Sequence, residues 1–324
     1  MSGWLAVTEV YTGYDIVGDV HGCADSLQLL LEKLGYVKRK GCFQYSNQRK
    51  PRQIIFVGDI LDRGPKIRES VALVRDMVEA GHAQLIMGNH EYNALGYSEK
   101  NQRQQYLRSH NPRHDKVIKE TLEQYANHPA DWADLLNWIY TLPLFLEFDH
   151  FRVVHACWDQ LLIDEFKRRY QRSTIDREFL LESEDYHTFA SKFMNRTTRG
   201  ASLLLPDELS IIGSDGFSRR NFRVKYWIEN PSTYSDIEFQ PDPLDSAVAA
   251  RLVTDEQKEF LPYYGPDSRF LFMGHYWLSG IPAPLTHNIA CLDYSAVKGG
   301  RMVAYRLDDE SSLSADKFVW VDGN

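Results

Sequence analysis

The chain has 324 residues, 43% of them hydrophobic, which is enough for a sizeable core in one large domain or two ordinary ones. Its 45 acidic against 37 basic residues give a formal net charge of −8, which argues against broad, sequence-independent attraction to nucleic acid or an anionic membrane and leaves room only for a local basic pocket. Four cysteines, Cys23, Cys42, Cys157 and Cys291, are scattered without a Cys-x-x-Cys pair, so neither a zinc ribbon nor a disulfide framework is indicated, and reduced thiols in a cytoplasm are expected. No basic region precedes an apolar core near the N-terminus and no stretch approaches about 18 apolar residues, so neither a signal peptide nor a membrane-spanning helix is expected.

In chain order, Tyr14-Asp15-Ile16-Val17 reads as a strand running into Gly18-Asp19-Val20-His21-Gly22. A helix should follow, capped by Asp25 or Ser26, with Leu27, Leu30, Leu31 and Leu34 on one face and Gly35 as its left-handed stop. The plan then repeats. Ile54-Ile55-Phe56-Val57 reads as a short strand buried on both faces, as in a parallel or mixed sheet covered by helices. Two carboxylates and a guanidinium follow within five residues, Asp59, Asp62 and Arg63, and then Ile67, Val71, Val74 and Val78 at helical spacing up to Gly81. A third strand, Leu85-Ile86-Met87, leads into Gly88-Asn89-His90-Glu91. Chains wound this way set their strand-to-loop corners side by side along one sheet edge, where open α/β sheets carry their ligand chemistry.

From about 98 to 142 the pattern is polar and helical, with an amphipathic segment, Trp132, Leu135, Leu136 and Ile139, after an expected Asp131 cap and before Pro143. Leu144 to Phe148 and Phe151 to Val154 read as a hairpin turned at Asp149-His150 and leading into His155-Ala156-Cys157. The region 158–265 is the least regular: charged helix-like stretches, a Gly213-Ser214-Asp215-Gly216 turn, and Pro-containing loops at 231, 241, 243 and 262. It reads as an insertion over the site and not as a separate domain. Strands return at Phe270 to Met273 before Gly274-His275, at Asn288 to Asp293 and at Met302 to Leu307.

Asp19, His21, Asp59, Asn89, His155 and His275 are the polar residues that follow apolar runs directly. Carboxylates, an amide oxygen and imidazoles make an O/N donor set suited to Mn, Fe or Zn, numerous enough for two ions. A carboxylate can bridge two metals about 3.5–4 Å apart, and Asp59, after the central strand, is the natural bridge. Taken singly, an Asp or His after a strand is more often a turn former or a satisfied polar group; their joint occurrence reverses that weighting.

Five motifs in order, Gly18-Asp19-Val20-His21-Gly22, Gly58-Asp59-Ile60-Leu61-Asp62-Arg63-Gly64, Gly88-Asn89-His90-Glu91, Val154-His155-Ala156 and Gly274-His275, resemble those of the calcineurin-like metallophosphoesterases. The resemblance implies an α/β fold, a double-sheet sandwich flanked by helices in α-β-β-α layers, forming a single domain over 1–324 with a helical insertion near 98–142 and an irregular one near 158–265. It implies two divalent metal ions, manganese foremost with iron or zinc as alternatives, one held by Asp19, His21 and Asp59 and the other by Asp59, Asn89, His155 and His275. It further implies His90, oriented by Asp62, as the acid that protonates the leaving oxygen, Arg63 as the phosphate ligand, and a metal-bridging hydroxide as nucleophile. The chemistry is sensible by itself: general acid catalysis contributes typically about 10²–10⁴-fold, and a guanidinium fork matches phosphate oxygens bidentately.

Within that family the chain resembles the branch of protein serine/threonine phosphatases and bacterial diadenosine tetraphosphate hydrolases. His21-Gly22-Cys23, Leu136-Asn137-Trp138-Ile139 and Asn288 to Asp293 with Gly299-Gly300 match the dinucleotide hydrolases, whereas Asp62 matches the protein phosphatases. The expected substrate is therefore a nucleotide-like or polyphosphorylated small molecule such as diadenosine tetraphosphate, with a phosphoprotein or a polynucleotide end as alternatives and no stable nucleic-acid or membrane partner. A non-catalytic metal-binding regulator would be expected to have lost ligands. The run Arg219-Arg220-Asn221-Phe222-Arg223-Val224-Lys225-Tyr226-Trp227 is either a solvated face or a second substrate clamp, with Arg223 holding phosphate and Trp227 stacking on a base. Cys157 reads as a small buried residue. No Walker loop, Gly-x-Ser-x-Gly elbow or His-Glu-x-x-His helix is present.

Overall fold

The apolar run at 54–57 lies in the middle of the molecule. In the computed structural model, which describes residues 11–212, 216, 218–239 and 243–323, every residue of strand β4 (Arg52–Phe56) is buried. Strand β1 (Gly13–Val17) pairs with it in parallel on one side and β5 (Ala83–Leu85) in parallel on the other. β2 (Tyr36–Arg39) and β3 (Cys42–Tyr45) form a separate hairpin. The other edge of β1 is antiparallel to β15 (Arg301–Leu307), which also pairs with β14 (Asp293–Tyr294) and β16 (Phe318–Asp322). The result is a mixed sheet in the order β14-β15-β1-β4-β5. A second sheet has the order β13 (Ile289–Cys291), β12 (Phe270–Met273), β7 (Phe151–Val154), β6 (Phe145–Glu147). β8 to β11, at Ser202–Leu204, Ile211–Ile212, Ser218–Arg219 and Asn221–Arg223, form two small ribbons apart from both sheets.

The alternation of side chains along a strand divides the core. Ile16, Ile55, Phe151, Val153, Phe272 and Ala290 face one another between the two sheets, a sheet-on-sheet contact. Their neighbours Val17, Ile54, Phe56, Leu271 and Met273 point outward into a second cluster shared with the helices. Helices α1 (Ala24–Lys33) and α2 (Ile67–Glu79) cover the first sheet with Leu27, Leu30, Leu31, Ile67, Val71, Val74 and Met77. After α3 (Asn89–Ser98), α4 (Pro112–Tyr125) and α5 (Pro129–Ile139), helices α6 (Gln160–Tyr170), α7 (Arg177–Glu182) and α8 (Phe189–Arg199) follow, and Phe166 of α6 and Phe193 of α8 pack edge-on against Phe145 of β6. The layering is α-β-β-α.

Several local details differ from the sequence expectations. Helix α1 begins at Ala24 with Cys23 at its N-cap position, so Asp25 is a first-turn acid that pairs with Lys66 and not the cap. α5 begins at Pro129 after His128, and Asp131 accepts a hydrogen bond from Arg68 at 2.8 Å. The proline supplies the preset φ of a first helical turn, which moves the start two residues upstream. The third strand ends at Leu85, although Ile86 N–H still donates to Phe56 O. Of the turn at 213–216, Gly213, Ser214 and Asp215 lie outside the described residues, as does Pro241.

Candidate active site

Because β1, β4 and β5 run parallel and adjacent, their C-terminal loops meet at one edge, and the loops after β7 and β12 arrive from the second sheet. Gly58 (φ 103°) begins the central loop in a conformation L side chains rarely adopt, and a Cβ there would lie 2.6 Å from Gly88 N. A Cβ on Gly274 would fall 1.9 Å from Asp19 Oδ1, so only glycine lets the His275 loop close on that carboxylate. His21, Asp59, Asp62, Arg63 and His275 all have positive φ between 44° and 68°, five of the ten non-glycine residues that do so among the described residues. Such conformations cost on the order of 1–3 kcal/mol each and persist where surroundings over-determine them.

Glu91 provides that determination for Asp59. Its buried carboxylate accepts N–H groups from Gly88 (2.9 Å), Asp59 (2.8 Å), Ile60 (2.9 Å) and Leu61 (3.3 Å), so the first turn of α3 locks the β4 loop. Burial and the nearby Asp59 charge push Glu91 up to about 7, against the pull of those donors. Reading the residues in order missed this role; the signal available was a Glu at the third position of a helix opened by Gly88.

The structure brings together all six donors expected from the sequence. Asp59 Oδ2 lies 3.3 Å from His155 Nε2 and 3.7 Å from His21 Nε2, and Asn89 Oδ1 lies 3.1 Å from His155 Nε2 and 2.6 Å from His275 Nδ1. Asp19 accepts the His275 backbone N–H at 3.2 Å. Two groups of donor atoms each fall within 4.8 Å of one another, His21 with Asp59 and His90, and Asp59 with His155 and His275, so Asp59 belongs to both.

These residues fit a metal pair. His21 Nδ1 lies 2.8 Å from Leu61 O and His155 Nδ1 2.7 Å from Val57 O, contacts that place the ring proton there and turn the Nε2 lone pairs inward, the usual arrangement behind a metal-ligating imidazole. His275 Nε2 is buried and has no hydrogen-bond partner among the described residues, an orphan a cation would satisfy. The charges show the same crowding. Burial, Asp293 and Asp59 together push Asp19 well above the carboxylate range, whereas Asp59, against its burial, is held well below it by His155, His90 and His21. Against its own burial His155 is raised to about 10, chiefly by Asp59. Asp293, which no sequence argument placed here, is buried beside Asp19 and within reach of the charge of Arg63.

His90 stands at the edge of this cluster. Its Nδ1 lies 2.6 Å from Asp62 Oδ2, its Nε2 3.9 Å from Asp59 Oδ2, and its ring meets that of His21 edge-on. Asp62 is held in turn by Thr121, which donates to its Oδ1 and accepts its backbone N–H at 3.1 Å. Burial raises Asp62 to about 7 and lowers His90 to about 3. Arg63 is exposed, with Nη1 3.2 Å from His21 Nε2, at the open mouth of the site.

Arg223 also reaches the site. Its guanidinium lies 5.9 Å from the centre of the Tyr276 ring, its charge is felt at His275, and its buried Nη1 has no hydrogen-bond partner among the described residues. The rest of that run does different work. Arg220 pairs with Asp207 at the surface, and Trp227 is half-buried, its ring in edge-on contact with Tyr226 and Phe239.

Comparisons with known proteins agree with this geometry. The sequence profile of calcineurin-like phosphoesterases matches residues 14–228. A bis(5'-nucleosyl)-tetraphosphatase PrpE [asymmetrical] from Oceanobacillus iheyensis is 51% identical over 76 residues, which is 24% of this chain and 29% of that protein, so the chain spans under a third of that relative. A symmetrical bis(5'-nucleosyl)-tetraphosphatase from Actinobacillus succinogenes is 25% identical over 315 residues, covering 92% of this chain and 94% of the relative. A crystal structure of a cold-active protein tyrosine phosphatase aligns at a TM-score of 0.52 and 18% identity over 96% of this chain and 78% of that one, a likeness of fold. With the profile matched over most of its length and the corresponding fold in place, this chain belongs to the calcineurin-like phosphoesterase family.

Proposed function

We propose that this protein is a dinuclear-metal-dependent hydrolase of phosphoric esters or anhydrides acting on a nucleotide-like or polyphosphorylated small molecule of the dinucleoside tetraphosphate type. The observation that carries the reading is that Asp59 belongs to two donor groups, one with His21 and His90 and one with His155 and His275, with Asn89 against those last two imidazoles and a His90–Asp62 pair alongside. Asp19, His21 and Asp59 would hold one ion and Asp59, Asn89, His155 and His275 the other, and the oxygen and imidazole donors favour manganese, with iron or zinc next. When bound, the pair polarises a phosphoryl oxygen and activates water at neutral pH. The chain's own residues do the rest. Arg63 and Arg223 bind phosphoryl oxygens from two sides, and protonated His90, its Nδ1–H donated to Asp62, delivers its Nε2 proton to the leaving oxygen and is left as the neutral Nδ1–H tautomer. The names of the relatives support the tetraphosphate substrate.

The test separates binding from chemistry. His90→Ala should retain metal and keep KM nearly constant while kcat on phenyl phosphate falls on the order of 10²–10⁴-fold. With an activated aryl phosphate, whose leaving group needs no proton, the loss should be much smaller. Equal losses on the two would remove His90 from the acid's role.

A further inference from the structure

Behind His90 the structure has a second recess, lined by two arginines and by one carboxylate, the exposed Glu184, which accepts a hydrogen bond from Asn101. A cavity of about 210 Å³ is lined by Tyr92 and Asn93 of α3, by Arg108 and His114, and by Asn195 and Arg199 of α8. That volume is below the roughly 300–1,000 Å³ of sites that enclose a whole drug-sized ligand, so it suits a phosphate-sized group. Arg199 is pre-positioned: its guanidinium donates to Asn195 Oδ1 at 2.6 Å and Asn93 Oδ1 at 2.8 Å and lies 4.9 Å from the centre of the Tyr92 ring. Arg108 is not. Its backbone N–H donates to Gly96 O at 2.8 Å, but its half-buried guanidinium makes no hydrogen bond or ion pair with any described residue. Burial, then the like charges of Arg199 and Arg113, push it down to about 10 against the weaker pull of Asp62, which leaves a crowded cation beside a second one. Two crowded, half-buried guanidinium groups, one without a partner, form a site that an oxyanion would complete.

Its position says which oxyanion. His90 opens the helix whose next turn, Tyr92, Asn93 and Gly96, forms one wall of the recess, and both His90 and Asp62 feel the charge of Arg108. If His90 donates the proton, the leaving group departs on this side, away from the donors gathered around Asp59. We propose that Arg108 and Arg199 form a leaving-group subsite that binds a phosphate carried by the departing half of the substrate, making the enzyme selective for substrates whose leaving group is itself phosphorylated. The inference rests on the reading of His90 given above. A departing phosphate leans less on an acid than an alcohol does and more on nearby cations, so His90 and Arg108 serve different substrates unequally.

The test compares the manganese-loaded enzyme and its Arg108→Ala variant on phenyl phosphate, whose leaving group is uncharged and needs the acid, and on diadenosine tetraphosphate. A charge-assisted hydrogen bond to phosphate corresponds to about a 10- to 100-fold effect. The loss of kcat/KM on the tetraphosphate should exceed that on phenyl phosphate by that factor and appear mainly in KM, and Arg108→Lys should recover part of it. Calorimetric titration with ADP, a phosphorylated leaving group, should show binding weakened about tenfold or more in Arg108→Ala. Equal losses on both substrates, or unchanged ADP affinity, would overturn the subsite and leave Arg108 as a residue acting through Asp62. Should the wild-type enzyme hydrolyse neither substrate, the phosphoesterase reading falls while the ADP titration still decides the subsite.

Discussion

The edge that gathers the candidate metal donors and the recess behind His90 lie side by side and are built by opposite means. At the edge each functional side chain follows its own strand directly, and the backbone fixes it: left-handed φ values at His21, Asp59 and His275, glycines where a Cβ would collide, and the Glu91 carboxylate across four amides. In the recess, Arg108 comes from a loop and Arg199 from the end of α8, 91 residues later, and long side chains do the aiming. Chemistry that tolerates little misplacement is tied to rigid strand ends, while recognition is assembled from side chains that can be exchanged without moving the sheet.

Substitutions at the edge should therefore be severe on all substrates. The largest loss is expected for Asp59→Asn, which removes a charge shared by both donor groups: metal content by elemental analysis should fall below two equivalents, and turnover should drop at least as far as in His90→Ala. Full activity in that variant, or in exhaustively chelated enzyme, would break the comparison. Glu91→Gln should come next. The amide places an N–H₂ group against two of the four donors, so loop order is weakened, with metal affinity down about 10- to 100-fold and thermal stability down by about 1–3 kcal/mol. A metal titration and a melting curve check both. Thr121→Val tests the layer beneath: Asp62 loses a hydrogen bond, and kcat on phenyl phosphate should fall about tenfold with KM unchanged, because orientation of His90 is affected and binding is not.

The smallest effect lies outside both regions. Burial raises the Glu147 carboxyl, but Lys167 and Arg152 bring it below the ordinary value, and Arg269 joins the cluster at 3.1 Å. A carboxyl lowered in the folded state stabilises above its unfolded pKa of about 4.3, and that stabilisation disappears as pH falls through the folded value. Glu147→Gln should flatten the acid side of the stability profile by less than about 1 kcal/mol, because solvent reaches the cluster. The difference from the wild type should be constant around neutral pH and disappear as pH falls through the folded value; a difference that varies with pH near neutrality would contradict this.

Much of the edge was legible from residues in order. Asp19, His21, Asp59, Asn89, His155 and His275 each follow an apolar run, and those runs located the strands while period-3.6 patterns located the helices beside them. Cys157 is fully buried, as its small size and surroundings suggested. Helix starts were less legible, since Pro129 and not Asp131 opens α5. That the Trp227 ring meets Phe239 edge-on could not be read from residue order, because the two lie on different segments of the chain.

By itself the amino-acid sequence determined which residue types stand at the strand ends, because a strand's exit is set by local hydrophobic pattern and by glycines that permit the turn. Only the tertiary structure decided that Thr121 holds Asp62, that Glu91 ties the Asp59 loop, that Asp293 adds a buried carboxylate beside Asp19, and that Arg108 and Arg199 share one cavity. Those relations join elements 30 to 270 residues apart, across which no periodicity runs; they arise when two sheets and their covering helices close on one another and buried polar groups must find partners or remain charged.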